Sequence, residues 1–358
     1  MKKTHIKKKW KQFIISSFAI TIMLGQYGGI RIEANEENYT EAIKVTDFDS
    51  NLSFSELLER FGDTDEILRQ LELHRPAAPT QIRTRALQDF SLLETTVSYD
   101  ESGYPTESFT PEADAEFWRL IYEDAANRIT PEFLEYAEEI GRHADIMLAI
   151  EYYKENGHVP INARISDFLP TTRRMAGVLD AHDGVGTVQR GLATSEGSWA
   201  TNYARFAIRP SWMPDRYTND QWRDALRHFA WNQNMAGLGS QTARIIGNNH
   251  EYSSVLIRRH DGVHMTHHSQ LSDAMIISLR DSMVHIASVS GVAAFNSTFT
   301  NHEIMDLWNN RAGVIRHGRS SGMPAFRQAW DAGEIIGASH AVTGGHRDAM
   351  RLSGWWRH

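Results

Sequence analysis

The sequence contains no cysteine among its 358 residues. This absence excludes disulfide bonds, thiolate metal ligands and cysteine nucleophiles, so a metal ion would have to be bound by His, Asp, Glu, Asn or water. Proline and glycine are not abundant, at 10 and 25 residues, and no segment repeats at a fixed period, which excludes collagen-like, low-complexity and solenoid architectures. With 41% hydrophobic and 23% charged residues, the composition is that of an ordinary globular protein.

No apolar run reaches the ~20 residues of a membrane-spanning helix. The run Phe13–Leu24 is shorter and follows a stretch of lysines in residues 1–12, which is the layout of a secretory signal peptide. We predict a signal peptide over residues 1–34 with cleavage after Ala34, no transmembrane segment in the mature chain, and a secreted or cell-surface protein. An uncleaved N-terminal anchor is the alternative.

Lysine is absent from residues 221–358, which carry 13 arginines, 10 acidic residues and 12 of the 17 histidines. Residues 35–220 instead hold 34 acidic and 17 basic residues, and removal of residues 1–34 would change the net charge from −8 to −14. An acidic mature chain argues against general coating of nucleic acid. The change in charge predicts a boundary between two parts of the chain.

Helical spacing of apolar residues predicts an all-α fold. Thr110-Pro111 and Thr130-Pro131 each combine an N-cap hydroxyl with proline at the first helical position, and a third short helix is predicted over residues 81–93. Frequent glycine and proline predict loops in the middle of the chain. The predicted parts are an acidic helical region (35–157), a loop-rich connector (158–217) and a His/Arg-rich, bundle-like helical domain (218–358).

Three predicted helices of the last part each carry a polar pair. Asp224 and His228 are four residues apart and therefore lie on one helical face. Buried polar groups must find partners, and a shared divalent ion, either zinc, manganese or iron, would provide one. The predicted metal ligands are Asp224, His228, His250 and Asp306, with no organic cofactor.

Two nearby residues are assigned chemical roles. Glu251 is predicted to act as a general base, with metal ligation as the alternative, and Arg227 is predicted to hold an anionic group of the substrate, such as a phosphate. A structural hydrogen bond between helices is the competing interpretation of Asp224 and His228. The predicted supporting residues are Trp231, Asn232, Asn309 and Asn310.

These residues form three short motifs, which read DALRHFAWN (224–232), HE (250–251) and MDLWNNRAG (305–313). Over residues 216–318, the chain resembles a bacterial domain family of unknown function that occurs in secreted, surface and toxin-like proteins. That family carries D-A-x-R-H-x-x-W-N, H-E and M-D-x-x-N-N-x-x-G in the same order, and the resemblance implies no particular activity. The chain departs from the family in a long insertion between Glu251 and Asp306, which includes five histidines: His260, His264, His267, His268 and His285.

Two hypotheses about function follow from the sequence. In the first, the protein is a secreted metal-dependent hydrolase that acts on a phosphoester or a similar anionic bond. In the second, it is a non-catalytic secreted surface-binding or interaction protein whose polar motifs are structural.

Overall fold

The computed structural model describes residues 48–79, 92–101, 103–158, 171–261 and 271–357. Several predictions lie outside these residues, namely the signal peptide, nearly all of the helix at 81–93, the start of the connector at 159–170 and the histidines at 264, 267 and 268. Within the described residues the chain forms thirteen α-helices and one two-stranded antiparallel sheet. The all-α prediction is therefore confirmed.

The helices are α1 (Phe54–Phe61), α2 (Thr64–Leu73), α3 (Pro111–Asn127), α4 (Pro131–Asn156), α5 (Thr171–His182), α6 (Thr187–Phe206), α7 (Asn219–Met235), α8 (Ser240–Asp261), α9 (Asp273–Val289), α10 (Gly291–Thr298), α11 (Asn301–Arg316), α12 (Gly322–Asp331) and α13 (Gly344–Ser353). The strands β1 (Thr95–Tyr99) and β2 (Pro105–Phe109) pair between α2 and α3. No helix of the described ranges is long and apolar enough to cross a bilayer.

Helix starts follow the predicted capping residues. The Thr110 hydroxyl accepts a hydrogen bond from the backbone N–H of Ala113 at the start of α3, and the Thr130 hydroxyl accepts one from Phe133 at the start of α4. Thr218 closes a reciprocal capping box with Gln221 and begins α7. Each cap satisfies backbone N–H groups that have no partner inside the helix, so these boundaries could be predicted from local sequence.

The prediction of a loop-rich connector was wrong for residues 171–206, which form α5 and α6. Gly177, Gly191 and Gly197 favoured a loop prediction but lie inside these helices. Gly197 has a packing reason, because a Cβ atom there would lie 3.3 Å from the Nε1 atom of Trp231 on α7. The hairpin β1–β2 was also not predicted from the sequence.

One hydrophobic core joins the first and last parts of the chain. Phe117 and Ile140, from α3 and α4, belong to the same buried cluster as Leu279 and Ile304, from α9 and α11. The residues described from 48 onwards form one compact unit. The predicted boundaries at 157 and 217 therefore do not separate two hydrophobic cores.

Helices α7 and α11 cross at very short range, and Gly313 on α11 permits the approach. A Cβ atom at Gly313 would lie 2.3 Å from the backbone oxygen of Phe229 and 2.9 Å from the backbone nitrogen of Gln233. Both are backbone atoms, so neither can move away as a flexible side chain would. This contact brings the polar faces of the two helices together.

We expect Gly313→Ala to lower the free energy of unfolding by about 1 to 3 kcal/mol, because the added methyl group would force α7 and α11 apart. Chemical denaturation measures the change. Gly191→Ala is the matched control, since Gly191 also lies in a helix but a Cβ atom there would meet nothing within 4 Å. That variant should be neutral or slightly stabilising because alanine favours helix. Equal effects of the two substitutions would contradict the close helix crossing.

Candidate functional site

A buried polar cluster forms where α7, α8 and α11 meet. The side chains of His228, Glu251 and Asp306 are each no more than 2% exposed. One comes from each helix, and all three belong to motifs in which sequence reasoning placed site residues. The close crossing of α7 and α11 explains why His228 and Asp306, which are far apart in the sequence, come together.

His228 lies at the centre of the cluster. Its Nε2 atom is 3.3 Å from Asp306 Oδ1 and 3.8 Å from Asp224 Oδ1. Its Nδ1 atom is 3.1 Å from Asn310 Oδ1 and 3.6 Å from Glu251 Oε1. The imidazole therefore faces oxygen atoms on both sides.

The His228 ring is neutral despite these carboxylates. Burial lowers its pKa to about 3, although Asp306 acts in the opposite direction. Arg227 Nη2 lies 2.7 Å from Nε2, and a guanidinium can only donate, so Nε2 accepts and the ring proton is on Nδ1. Nδ1 then donates to Asn310, and the approach of Nε2 to Asp306 is a contact between two acceptors.

Only one of the two carboxylate oxygens of Asp306 has a hydrogen-bond donor among the described residues. Its Oδ2 atom lies 3.0 Å from Nδ1 of His302, one turn earlier on α11, and this hydrogen bond raises the pKa of His302 to about 9. Its Oδ1 atom is buried and receives no hydrogen bond from the described residues. A buried carboxylate oxygen without a donor is costly, particularly beside the lone pair of His228 Nε2.

The amide of Asn310 holds the cluster in place. Its Oδ1 atom also accepts a hydrogen bond from Asn232 Nδ2 at 2.6 Å, and its Nδ2 atom donates to Glu251 Oε1 at 3.2 Å. Burial and the nearby Asp306 carboxylate raise the pKa of Glu251 well above its usual value. This shift moves the titration of Glu251 towards neutral pH, which favours a role as a general acid or base.

Arg227 and Asp224 lie on the more exposed side of the cluster. Arg227 Nη2 donates to Asp224 Oδ1 at 2.6 Å as well as to His228. Burial opposes its charge, but the Asp224 carboxylate outweighs this effect and raises the pKa of Arg227. The guanidinium supplies positive charge to two of the predicted ligands.

His250 lies beside the cluster, and its role as a ligand remains a prediction. Its ring centre is 6.3 Å from that of His228 and 5.4 Å from that of Trp231, and it belongs to neither group of potential metal ligands described below. Burial lowers its pKa to about 4, so it is neutral. Asn309 also lies outside the cluster, because its amide exchanges two hydrogen bonds with the backbone of Ile336.

Two overlapping groups within the described residues could hold a metal ion. One consists of His228, Glu251 and Asp306, and the other of Asp224, His302 and Asp306. Asp306 is common to both. In each group the potential ligand atoms lie within 4.8 Å of one another. His302 was missed in the sequence, although its four-residue spacing from Asp306 is the same signal that identified Asp224 and His228.

A cleft of about 430 Å³ borders the cluster. Arg227 and His250 line it, as does Trp231, whose Nε1 atom donates a hydrogen bond to the backbone oxygen of Ala193 on α6. The cleft has the size of a small-molecule binding site. A molecule in this cleft would lie beside Arg227.

Comparison of the chain with protein-family models, curated proteins and solved structures found no match.

Proposed function

We propose that the protein is a secreted metal-dependent hydrolase acting on a phosphoester or similar anionic bond. The observation that carries the proposal is the Oδ1 atom of Asp306, which is buried, receives no hydrogen bond from the described residues and lies 3.3 Å from the acceptor Nε2 of His228. A cation between these atoms would remove the repulsion. Their separation is compatible with two ligands on one ion, since bonds to such ions are about 2 Å long.

The residues present fit zinc, manganese or iron, all of which accept imidazole and carboxylate ligands. His228, Glu251 and Asp306 would hold the ion, or Asp224, His302 and Asp306 would hold it instead. The neutral state of His228 suits this role, because a ligating imidazole must carry a free lone pair. Such an ion would supply Lewis acidity to the site.

Glu251 and Arg227 would take part in the reaction without needing to bind the ion. Glu251 would take up or release a proton, because its raised pKa places the change of charge nearer to neutral pH. Arg227 lines the cleft and would orient an anionic group of the substrate. For His228 Nε2 to bind an ion, the Arg227 guanidinium must withdraw from it towards the cleft.

A titration of the purified, chelator-treated protein with zinc, manganese and iron(II) tests the proposal. We expect one ion per chain to bind at micromolar concentration or below, to raise the melting temperature, and to support hydrolysis of bis(p-nitrophenyl) phosphate. Binding to a folded protein raises its stability by mass action. Absence of binding for all three metals would rule out the proposed function.

The second candidate function is a non-catalytic secreted interaction protein. The contact between Arg227 and both Asp224 and His228 favours it, because the guanidinium already supplies a cation to the cluster. In that case, the polar residues hold α7 against α11 and the protein has no need of a metal.

A further inference from the structure

The cleft beside the cluster is enclosed by five helices, α4 to α8. Its walls combine small and apolar side chains with several charged ones. The apolar part comes mainly from Ala144, Met147, Leu148, Ala176, Ala193 and Ile246. This wall suits the carbon skeleton of an organic ligand.

Arg190 on α6 is the unusual residue of the cleft. It is 7% exposed, and its Nε and Nη1 atoms are buried without a hydrogen-bond acceptor among the described residues. Burial lowers its pKa to about 10, so it still carries its charge at neutral pH. A buried guanidinium with two nitrogen atoms that lack acceptors is unfavourable, because buried charged groups are normally paired.

Asp180 and Glu151, two carboxylates that act on the charge of Arg190, do not satisfy its Nε and Nη1 atoms. Asp180 accepts a hydrogen bond from Asn249 instead, and burial raises the pKa of Asp180 to about 7, which reduces its negative charge. Glu151 accepts hydrogen bonds from Thr194 and Arg173, and burial raises its pKa too. Neither carboxylate is within hydrogen-bond distance of Nε or Nη1 of Arg190.

We infer that the cleft binds an organic oxyanion, with a phosphate or similar group on the Arg190 guanidinium and an apolar substituent against the wall of the cleft. Arginine presents its N–H donors in a planar fork that matches such groups. This inference rests on the proposed function for the class of substrate, since it places the anion of that substrate. Binding of the oxyanion itself requires only Arg190 and the cleft.

Isothermal titration of chelator-treated protein with three probes tests the inference. Hexyl phosphate carries both parts of the ligand, inorganic phosphate carries only the anion, and hexanol carries only the apolar part. We expect hexyl phosphate to bind at least tenfold more tightly than either of the other two, because apolar burial and charge both contribute. Equal binding of hexanol and hexyl phosphate, or no binding of hexyl phosphate at millimolar concentration, would overturn the inference.

Arg190→Gln removes the charge and should weaken hexyl phosphate about 30-fold or more. Arg327→Gln is the matched control, since Arg327 is exposed on α12 and should leave the affinity unchanged. Circular dichroism shows whether each variant folds. If Arg190→Gln does not fold, Arg190→Lys replaces it in the affinity measurement, because lysine keeps the charge but not the planar fork of donors. Unchanged affinity in a folded Arg190→Gln protein, or in Arg190→Lys where it replaces that variant, would refute the role of Arg190.

Metal titration separates this inference from the proposed function. Arg190 belongs to neither group of potential metal ligands, so Arg190→Gln should bind metal like the wild type. Hexyl phosphate binding without metal binding would support the cleft and rule out the hydrolase. Metal binding without hexyl phosphate binding would support the metal site and rule out the proposed role of the cleft.

Discussion

Asp306→Asn is expected to weaken metal binding at least ~100-fold while leaving the metal-free protein about as stable as the wild type. Asp306 belongs to both groups of potential ligands, so neither group is complete without it. Loss of residues that merely support ligands already costs 10- to 100-fold in affinity. The new amide would also relieve the repulsion at Nε2 of His228, because it can present an N–H group where the carboxylate now presents a second acceptor.

The expected stability follows from the same contacts. An amide oxygen can still accept the hydrogen bond from His302, and that partner is largely exposed, so loss of the charge costs less than ~1 kcal/mol. Calorimetry measures the metal affinity of the variant, and urea denaturation measures its free energy of unfolding. Asp331→Asn is the control, because it makes the same chemical change in an exposed pair with Arg327.

The two candidate functions predict different metal binding for Asp306→Asn. If the cluster is structural, the substitution should reveal no loss of metal affinity, since no metal binds to the wild type. A destabilised variant with unchanged metal affinity would contradict the proposed site altogether. A stable variant that no longer binds metal would support it.

Arg280→Met is expected to lower the free energy of unfolding by about 3 to 5 kcal/mol, the range found when one partner of a buried ion pair is removed. Arg280 on α9 is 2% exposed, and its guanidinium makes two hydrogen bonds to Asp183, at 2.6 and 2.7 Å, and one to Asp281 at 2.7 Å. It also donates to Asn249 on α8 at 3.0 Å. The substitution would remove the charge that neutralises two largely buried carboxylates.

Arg119→Met is the matched control for this prediction. Arg119 also contacts two carboxylates, those of Glu116 and Glu123, but it is 51% exposed on α3. Solvent weakens such pairs, so this variant should lose less than ~1 kcal/mol. Urea denaturation measures the free energy of unfolding of both variants. Equal losses would contradict the buried network around Arg280.

The network also supports the candidate site. Asn249 precedes His250 and Glu251 on α8, and its amide is held by Arg280 and by Asp180 and Asp183 from α5 and the turn that follows. This arrangement fixes the rotation of α8 about its axis. It thereby directs Glu251 towards His228 and Asn310 on the neighbouring helices.

Local signals in the sequence identified much of the fold. Thr110, Thr130 and Thr218 begin helices because a hydroxyl caps free N–H groups within three residues of it, which is a purely local interaction. Helices α5 and α6 were missed because their glycines favour loops locally. At one of these positions, Gly197, glycine leaves space for the indole of Trp231, which lies on another helix.

The sequence by itself determined the all-α class, the absence of thiol ligands and the placement of Asp224 and His228 on one helical face, because these depend on composition or on a spacing of one helical turn. Only the tertiary structure decided that Glu251 and Asp306 face His228 and that Arg190 and Arg280 are buried. These contacts join residues on different helices, up to 97 positions apart for Arg280 and Asp183. They depend on how closely and at what rotation helices pack, which no local pattern specifies.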